Sequence, residues 1–367
     1  MLKICHLTSV HKADDIRIFH KECSSLAKNE NFDVSLIAVN CETKRMNNVS
    51  IISVACDFKS RTERIYKASR LVYQKALEVD ADVYHFHDPD LLYYGLKLHK
   101  KGKKVIYDSH EDVPRQILGK HWIPKPFRLL ISKVYETFEN YICKRLDFIV
   151  VSTPTIKDRF VQVNSKTESI CNYPLLDENI SLPSWEERNN EICYVGGITK
   201  IRGIVELIDV LAHLDSVRLN LAGSYSPESL RDELKLQQGW EQVNEFGQVN
   251  RAQIISILNS SKIGIVTLHP QENYVDSLPI KMFEYMYSGL PVIASNFPLW
   301  ERIISENQCG VCIDPFDIKG IADQVNYLLS NPELSEKMGV NGRQSVLEKY
   351  NWTIEEKKLT SIYTSLM

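Results

Sequence analysis

Asp276-Ser277-Leu278-Pro279-Ile280-Lys281-Met282-Phe283-Glu284 sets an acid in a polar loop, a second acid eight residues on, and a lysine three residues before that second acid. Pro279 reads as a helix start, which places Lys281 and Glu284 (i, i+3) on one helix face. Carboxylates in such positions grip sugar hydroxyls, and a lysine near a helix N-terminus holds phosphate oxygens. A second stretch, Tyr194-Val195-Gly196-Gly197-Ile198-Thr199-Lys200-Ile201-Arg202-Gly203, follows a strand and precedes a helix. Two glycines let a ligand approach the backbone, helix-start amides attract anions, and Lys200 and Arg202 add positive charge. The reading is a diphosphate cradle, and the plain alternative is an ordinary strand–helix turn. The pattern is neither G-x-G-x-x-G nor G-x-x-x-x-G-K-[ST], which counts against nicotinamide oxidoreductases and P-loop NTPases.

The first half of the chain carries its own candidates. Asp82-Val83-Tyr84-His85-Phe86-His87-Asp88 brings His87 and an acid to the carboxyl end of a strand. Val105-Ile106-Tyr107-Asp108-Ser109-His110-Glu111 does the same with His110 and Glu111, and the loop after the first strand offers Asp15 and Arg17. A lone histidine at such a place is as readily a satisfied core residue.

Strands and helices alternate from Lys3 to Ser152 and again from Glu191 to Ile313. Short apolar strands between helices indicate βαβ units and parallel sheets covered on both faces. At 367 residues the chain is long enough for two domains. Residues 173–190 contain two prolines and little periodicity and read as a linker. The expected architecture is two doubly wound, Rossmann-like α/β domains facing a cleft: residues 1–172 and 191–352, with a last helix, 353–367, returning to the first domain. Ligands in such folds bind at the carboxyl ends of the strands, and a cleft between domains is the default site.

Net charge is −3, but residues 1–170 hold 28 Lys/Arg against 21 Asp/Glu (+7) and residues 171–367 hold 16 against 26 (−10). A basic half fits an anionic substrate or membrane surface. No nucleic-acid module accompanies it, so nucleic acid is excluded as a partner. No apolar stretch reaches membrane-spanning length, the N-terminus does not read as a signal peptide, and the nine cysteines are scattered, so reduced thiols in the cytoplasm are expected. Residues 120–133 mix basic and large apolar side chains, and 113–135 contain no acid. Such a stretch fits peripheral contact with the anionic inner face of a membrane.

Asp276–Glu284 together with the tail Gly289-Leu290-Pro291-Val292-Ile293-Ala294-Ser295 resembles the signature of family 4 retaining glycosyltransferases of the GT-B fold, and the resemblance spans the chain. It implies transfer of a sugar from a nucleotide diphosphate-sugar, with a UDP-sugar expected, to a glycan or lipid-linked acceptor in capsule, O-antigen or lipopolysaccharide assembly. It implies a hexosyl- or N-acetylhexosaminyltransferase that needs no cofactor and no metal. Asp88-Pro89-Asp90 resembles a metal-binding D-x-D, but Asp90 reads as a helix cap. Implied catalytic residues are His87, Asp276 and Glu284. Implied donor-binding residues are Gly196, Gly197, Lys200, Arg202, Gly247, Val249, Ser277, Leu278, Lys281 and Glu284, with Glu284 on the ribose. Asp15, Arg17, His110 and Glu111 fall to the acceptor. The family's Arg position is Gly197 here, so either Lys200 or Lys281 compensates, or the diphosphate is gripped mainly through backbone amides. The competing functions are an epimerase or hydrolase on the same scaffold and a two-lobed nucleotide- or sugar-binding protein.

Overall fold

The computed structural model describes residues 1–120, 123–176 and 182–367. Two compact units emerge: Met1–Asn172 with Trp352–Met367, and Tyr173–Asn351.

The first unit is built on an eight-stranded sheet. Its strands are β1 (Leu2–Leu7), β2 (Phe32–Val39), β3 (Lys44–Met46), β4 (Val49–Val54), β5 (Val83–Phe86), β6 (Lys104–Ser109), β7 (Phe148–Val151) and β8 (Thr167–Ser169), in the order 3-4-2-1-5-6-7-8. Every pairing is parallel except β3 with β4. β1 sits centrally, and the order reverses beside it. That is the switch point at which a parallel sheet opens a crevice at its carboxyl edge. β3 and β8 were not legible in the sequence because each is only three residues long. The closing helix, Trp352–Thr364, buries Trp352, Leu359, Ile362 and Tyr363 in one cluster with Ile4, Val34 and Val83. The Trp352 indole N–H donates to Ser25 Oγ at 2.9 Å. The helix is therefore part of the first unit's core.

The second unit holds β9 (Glu191–Val195), β10 (Arg218–Ala222), β11 (Val243–Gly247), β12 (Ile263–Val266), β13 (Val292–Ser295) and β14 (Gly310–Ile313), all parallel, in the order 11-10-9-12-13-14. Here the switch point lies at β9 and β12, the two strands whose following loops carry Gly196–Gly203 and lead to Asp276. Each helical connection packs apolar residues such as Ile204, Leu207 and Leu211 onto the sheet.

Three expectations need correction. Residues 182–190 are not a free tether: Trp185 is buried, and the Arg188 guanidinium donates to the carbonyls of Leu258, Ser261 and Ser288 at 2.8, 2.9 and 2.8 Å, closing the ends of two helices. Residues 177–181 lie outside the described residues. Pro227 in a first turn predicts a helix over Ser226–Gln237, and the observed helix is shorter, Leu230–Leu234. Asp90 does not cap a helix. It lies within the turn Pro89–Leu91, with Arg64 Nη2 3.4 Å from its carboxylate.

Candidate active site

In the second unit the glycine loop leaves β9 and is held by the neighbouring strand end. The Gly196 N–H donates to Ala222 O at 2.9 Å and the Ile198 N–H to Ser224 O at 2.8 Å. Gly203 closes the loop with φ +72°, against the Thr267 carbonyl, where a side chain would collide. Two cations fill the space that the missing side chains leave. A Cβ on Gly197 would lie 2.8 Å from Arg202 Nη1, and one on Gly196 would lie 2.7 Å from Lys281 Nζ. Arg202 Nη1 donates to Gly197 O at 3.3 Å.

Lys281 comes from the first turn of the helix Ile280–Tyr287. It is only 8% exposed, and its Nζ has no hydrogen-bond partner among the described residues. It stands 3.6 Å from the centroid of the Tyr194 ring. Burial, and then Arg202 beside it, push its proton affinity well below the ordinary lysine range. An unpartnered ammonium next to a guanidinium is costly in a ligand-free protein. An anion seated between the two would remove that cost.

Lys200 turns elsewhere: it is exposed and pairs with Glu233. Of the two lysines that could offset Gly197, Lys281 is the one beside the loop. Glu284 lies one turn beyond Lys281, and its Oε1 accepts from Arg251 Nη1 at 2.5 Å. Asp276 ends the short helix Glu272–Val275, is exposed, and makes no hydrogen bond to Lys281 or Glu284. Ser277 is anchored at both ends: its hydroxyl donates to Tyr274 O at 2.8 Å, and its carbonyl accepts from Trp300 Nε1 at 2.7 Å. Leu278 is half-buried beside it. At the end of β11, Gly247 (φ +65°) accepts from the Gly223 N–H at 2.7 Å, and Val249 follows half-buried.

In the first unit, β1, β5 and β6 bring their carboxyl ends together, and with them a buried polar cluster. His87 Nδ1 lies 3.1 Å from Asp108 Oδ2, and His110 Nε2 lies 2.9 Å from the same oxygen. Arg17 binds both Asp108 oxygens, Nε at 3.1 Å and Nη2 at 2.9 Å, and donates from Nη1 to Ile170 O at 2.7 Å. His87 Nε2 meets His6 Nδ1 at 2.9 Å. His6 Nε2 meets the Tyr363 hydroxyl at 3.1 Å, which meets His85 Nδ1 at 2.7 Å. Burial pushes His87 down to about 4 against the pull of Asp108, so the ring is neutral at neutral pH. Burial alone would raise Asp108, but Arg17 and His110 hold it well below the usual carboxylate range.

These contacts alter the expected acceptor set. Arg17 is 5% exposed and fully committed to Asp108 and Ile170, so it is a core ion and not an acceptor ligand. Asp15 caps the helix Ile16–Cys23, accepting from the N–H groups of Arg17 and Ile18, and lies 3.5 Å from His11. His87 is 2% exposed, whereas the His110 side chain is 17% exposed, so His110 is the ring in contact with solvent. Glu111 is exposed and receives the Gln116 amide. Sequence reasoning missed His6, Asp108, Tyr194, Arg251 and Tyr363. Asp108 and His110, and likewise His85 and His87, sit two apart where a strand ends, the second of each pair just past it. That spacing puts each pair on one face.

The segment at 120–133 divides between two elements. His121 and Trp122 lie outside the described residues. From Lys125 the chain forms a helix, Lys125–Cys143, whose inward side carries Ser132 and Glu139. Glu139 is fully buried, 2.8 Å from Arg159. The outward side is apolar: Phe127, Ile131, Val134, Phe138 and Tyr141 recur at helical spacing and are 43–61% exposed. Lys125, Lys133, Lys144 and Arg145 are exposed around them. None of the described helices is long and apolar enough to cross a membrane.

Known proteins resemble this chain in sequence and in fold. The chain is 21% identical over 292 residues to an MMP α-(1→4)-mannosyltransferase of Mycolicibacterium hassiacum, covering 76% of this chain and 69% of that one. It is 26% identical over 183 residues to the Staphylococcus aureus capsular polysaccharide biosynthesis glycosyltransferase CapM, covering 49% of this chain and 47% of that one, so it spans about half of CapM. Among solved structures, Anabaena Alr3699/HepE in complex with UDP-glucose superposes with a TM-score of 0.73 at 14% identity over all of both chains, a likeness of fold. Residues 19–172 match the model of Glycosyltransferase Family 4 and residues 177–345 that of Glycosyl transferases group 1. With its two parallel-sheet α/β units of the GT-B class, the chain belongs to the family 4, group 1 glycosyltransferases.

Proposed function

We propose that this protein is a retaining glycosyltransferase that moves a hexosyl or N-acetylhexosaminyl group from a UDP-sugar to a glycan or lipid-linked acceptor in cell-surface polysaccharide assembly. The observation that carries the proposal is the unpaired Lys281 ammonium beside Arg202 at the glycine loop. A nucleoside diphosphate supplies the two negative charges this pair lacks. The UDP-glucose bound by HepE and the part of CapM in capsular polysaccharide biosynthesis support the donor class and the pathway.

In this mechanism Arg202 and Lys281 stabilise the diphosphate as the bond to the anomeric carbon breaks. The acceptor hydroxyl attacks from the face the diphosphate leaves, and its proton passes to the departing phosphate oxygen. The protein contributes position and charge and forms no covalent intermediate. With two cations already at the diphosphate, that step needs no metal. Glu284 takes the ribose hydroxyls, Asp276 the donor sugar, and the backbone at Gly247 and Val249 the base. Asp15, His110 and Glu111 hold the acceptor, with His87 packed behind His110. The apolar face of Lys125–Cys143, ringed by lysines, rests on the cytoplasmic leaflet.

The test is turnover of UDP-glucose and UDP-N-acetylglucosamine with lipid-linked acceptors, with the anomeric configuration of the product read by proton NMR. A glycosylated product of retained configuration is expected. Release of UDP with no glycosylated product would show hydrolysis instead.

A further inference from the structure

The cluster around Asp108 is built like a metal site. His87 Nδ1, Asp108 Oδ2 and His110 Nε2 are mutually 3.1, 2.9 and 3.3 Å apart. Ligands about 2.0–2.2 Å from one ion stand about 2.8–3.1 Å apart in octahedral geometry and about 3.3–3.6 Å apart in tetrahedral geometry, and the three separations fall across that range. As a plain hydrogen-bond cluster the arrangement is overfull. Asp108 Oδ2 faces Arg17 Nε, His87 Nδ1 and His110 Nε2, three nitrogens on an oxygen with two lone pairs. A separate observation points the same way. Glu22 is fully buried, and its carboxyl faces that of Asp108, so two acids share one buried site. Its contact with Arg17 at 3.1 Å is an ion pair outside hydrogen-bond alignment, and its Oε2 lies 4.0 Å from His87 Nδ1.

We infer that His87, Asp108 and His110, with the Glu22 carboxyl nearby, bind one first-row divalent ion of the Zn²⁺ type at the carboxyl ends of β5 and β6. Two imidazoles and a carboxylate on one face are a donor set for Zn²⁺, Fe²⁺ or Mn²⁺. The nitrogen of His87 that does not face the ion is 2.9 Å from His6, the outer-shell contact that fixes a ligand's orientation. Arg17 opposes a cation, and the Asp108 carboxylate offsets it. The partly exposed His110 side leaves a position for a hydroxyl or phosphate oxygen of a ligand. The site is built from residues of the first unit, whereas Arg202 and Lys281 belong to the second.

The experiment reads metal directly and does not depend on transfer activity. Whole protein stripped with EDTA is titrated with Zn²⁺ against a chromophoric chelator and with Co²⁺ by visible absorption. One equivalent with Co²⁺ d–d bands is expected. His110→Ala and Glu22→Gln, each checked for an unchanged melting profile, should weaken binding by about tenfold or more, on the scale of ligand and outer-shell losses. His11→Ala, a nearby histidine outside the ligand set, should leave affinity unchanged. The Co²⁺ spectrum of the unmutated protein stands even if a variant fails to fold. Absence of d–d bands, or binding equal in His110→Ala and the parent, overturns the site and leaves surface histidines as the metal ligands.

Discussion

A Cβ on Gly196 would sit 2.7 Å from Lys281 Nζ, so any side chain at that position would displace the ammonium. The sequence places these residues 85 positions apart, and β9 and the helix after β12 bring them together. The contact is made at a cost, because the ammonium is buried against the Tyr194 ring with no hydrogen-bond partner among the described residues. Lys281→Met removes that cost and keeps the bulk. The ligand-free protein should melt at the same temperature or higher, while affinity for the nucleoside diphosphate falls about ten- to a hundredfold, the worth of a charged hydrogen bond. Calorimetric affinity and a melting curve on the same variant check both halves.

The depressed proton affinity of Lys281 has a pH consequence. Its folded value lies below its unfolded value, so the unfolded chain binds more protons. Stability from this group therefore rises with pH and levels off above the ordinary lysine value, about 10.4. A diphosphate restores the charge, so nucleotide binding at mildly alkaline pH should take up a proton. Titration calorimetry in buffers of different ionisation enthalpy measures that uptake. It should disappear in Lys281→Met.

Arg202 serves a different part of the same anion. Arg202→Ala should lower kcat/KM about ten- to a hundredfold. Arg202→Lys should recover part of it, since charge returns without the planar fork. A loss under twofold in Arg202→Ala removes the residue from the site.

Glu284 is held by Arg251 in the ligand-free protein. If ribose hydroxyls displace that contact, Arg251 competes with the nucleotide. The pair is partly exposed, and such pairs are worth about 0.2–1 kcal/mol. Arg251→Ala should therefore tighten nucleoside diphosphate binding by about 1.4- to 5-fold, whereas Glu284→Ala should weaken it. Weaker binding in Arg251→Ala would make Arg251 a ligand contact.

The outward face of Lys125–Cys143 predicts membrane behaviour. Phe127→Asp with Val134→Asp should abolish co-sedimentation with anionic vesicles at low salt and leave the melting temperature within a few degrees, because both side chains are exposed. Unchanged co-sedimentation would place the contact elsewhere.

Much of this was legible in residue order. Alternating apolar strands and helices gave the two parallel-sheet units, and the glycine loop and the Lys281–Glu284 face stood out by residue type. Partner choice was not legible. Lys200 and Lys281 are equivalent as letters, and only the placement of Glu233 sends one to the surface while the helix after β12 buries the other. Arg17 looked like an exposed loop cation because nothing in its neighbours announced that β6 would bring Asp108 to it. The His6–Tyr363 contact joins the two ends of the chain, a separation that no local pattern encodes.

The most direct test of the donor site is thermal melting with UDP, GDP, ADP, CDP and dTDP, each with and without EDTA, on the parent protein and on Lys281→Met. A ligand at about 100 times its Kd stabilises the folded state by about 2.7 kcal/mol. One nucleotide should raise the melting temperature of the parent by the same increment in both buffers and leave Lys281→Met unmoved. No increment with any nucleotide, or an equal one in Lys281→Met, contradicts a diphosphate site built on Gly196, Arg202 and Lys281.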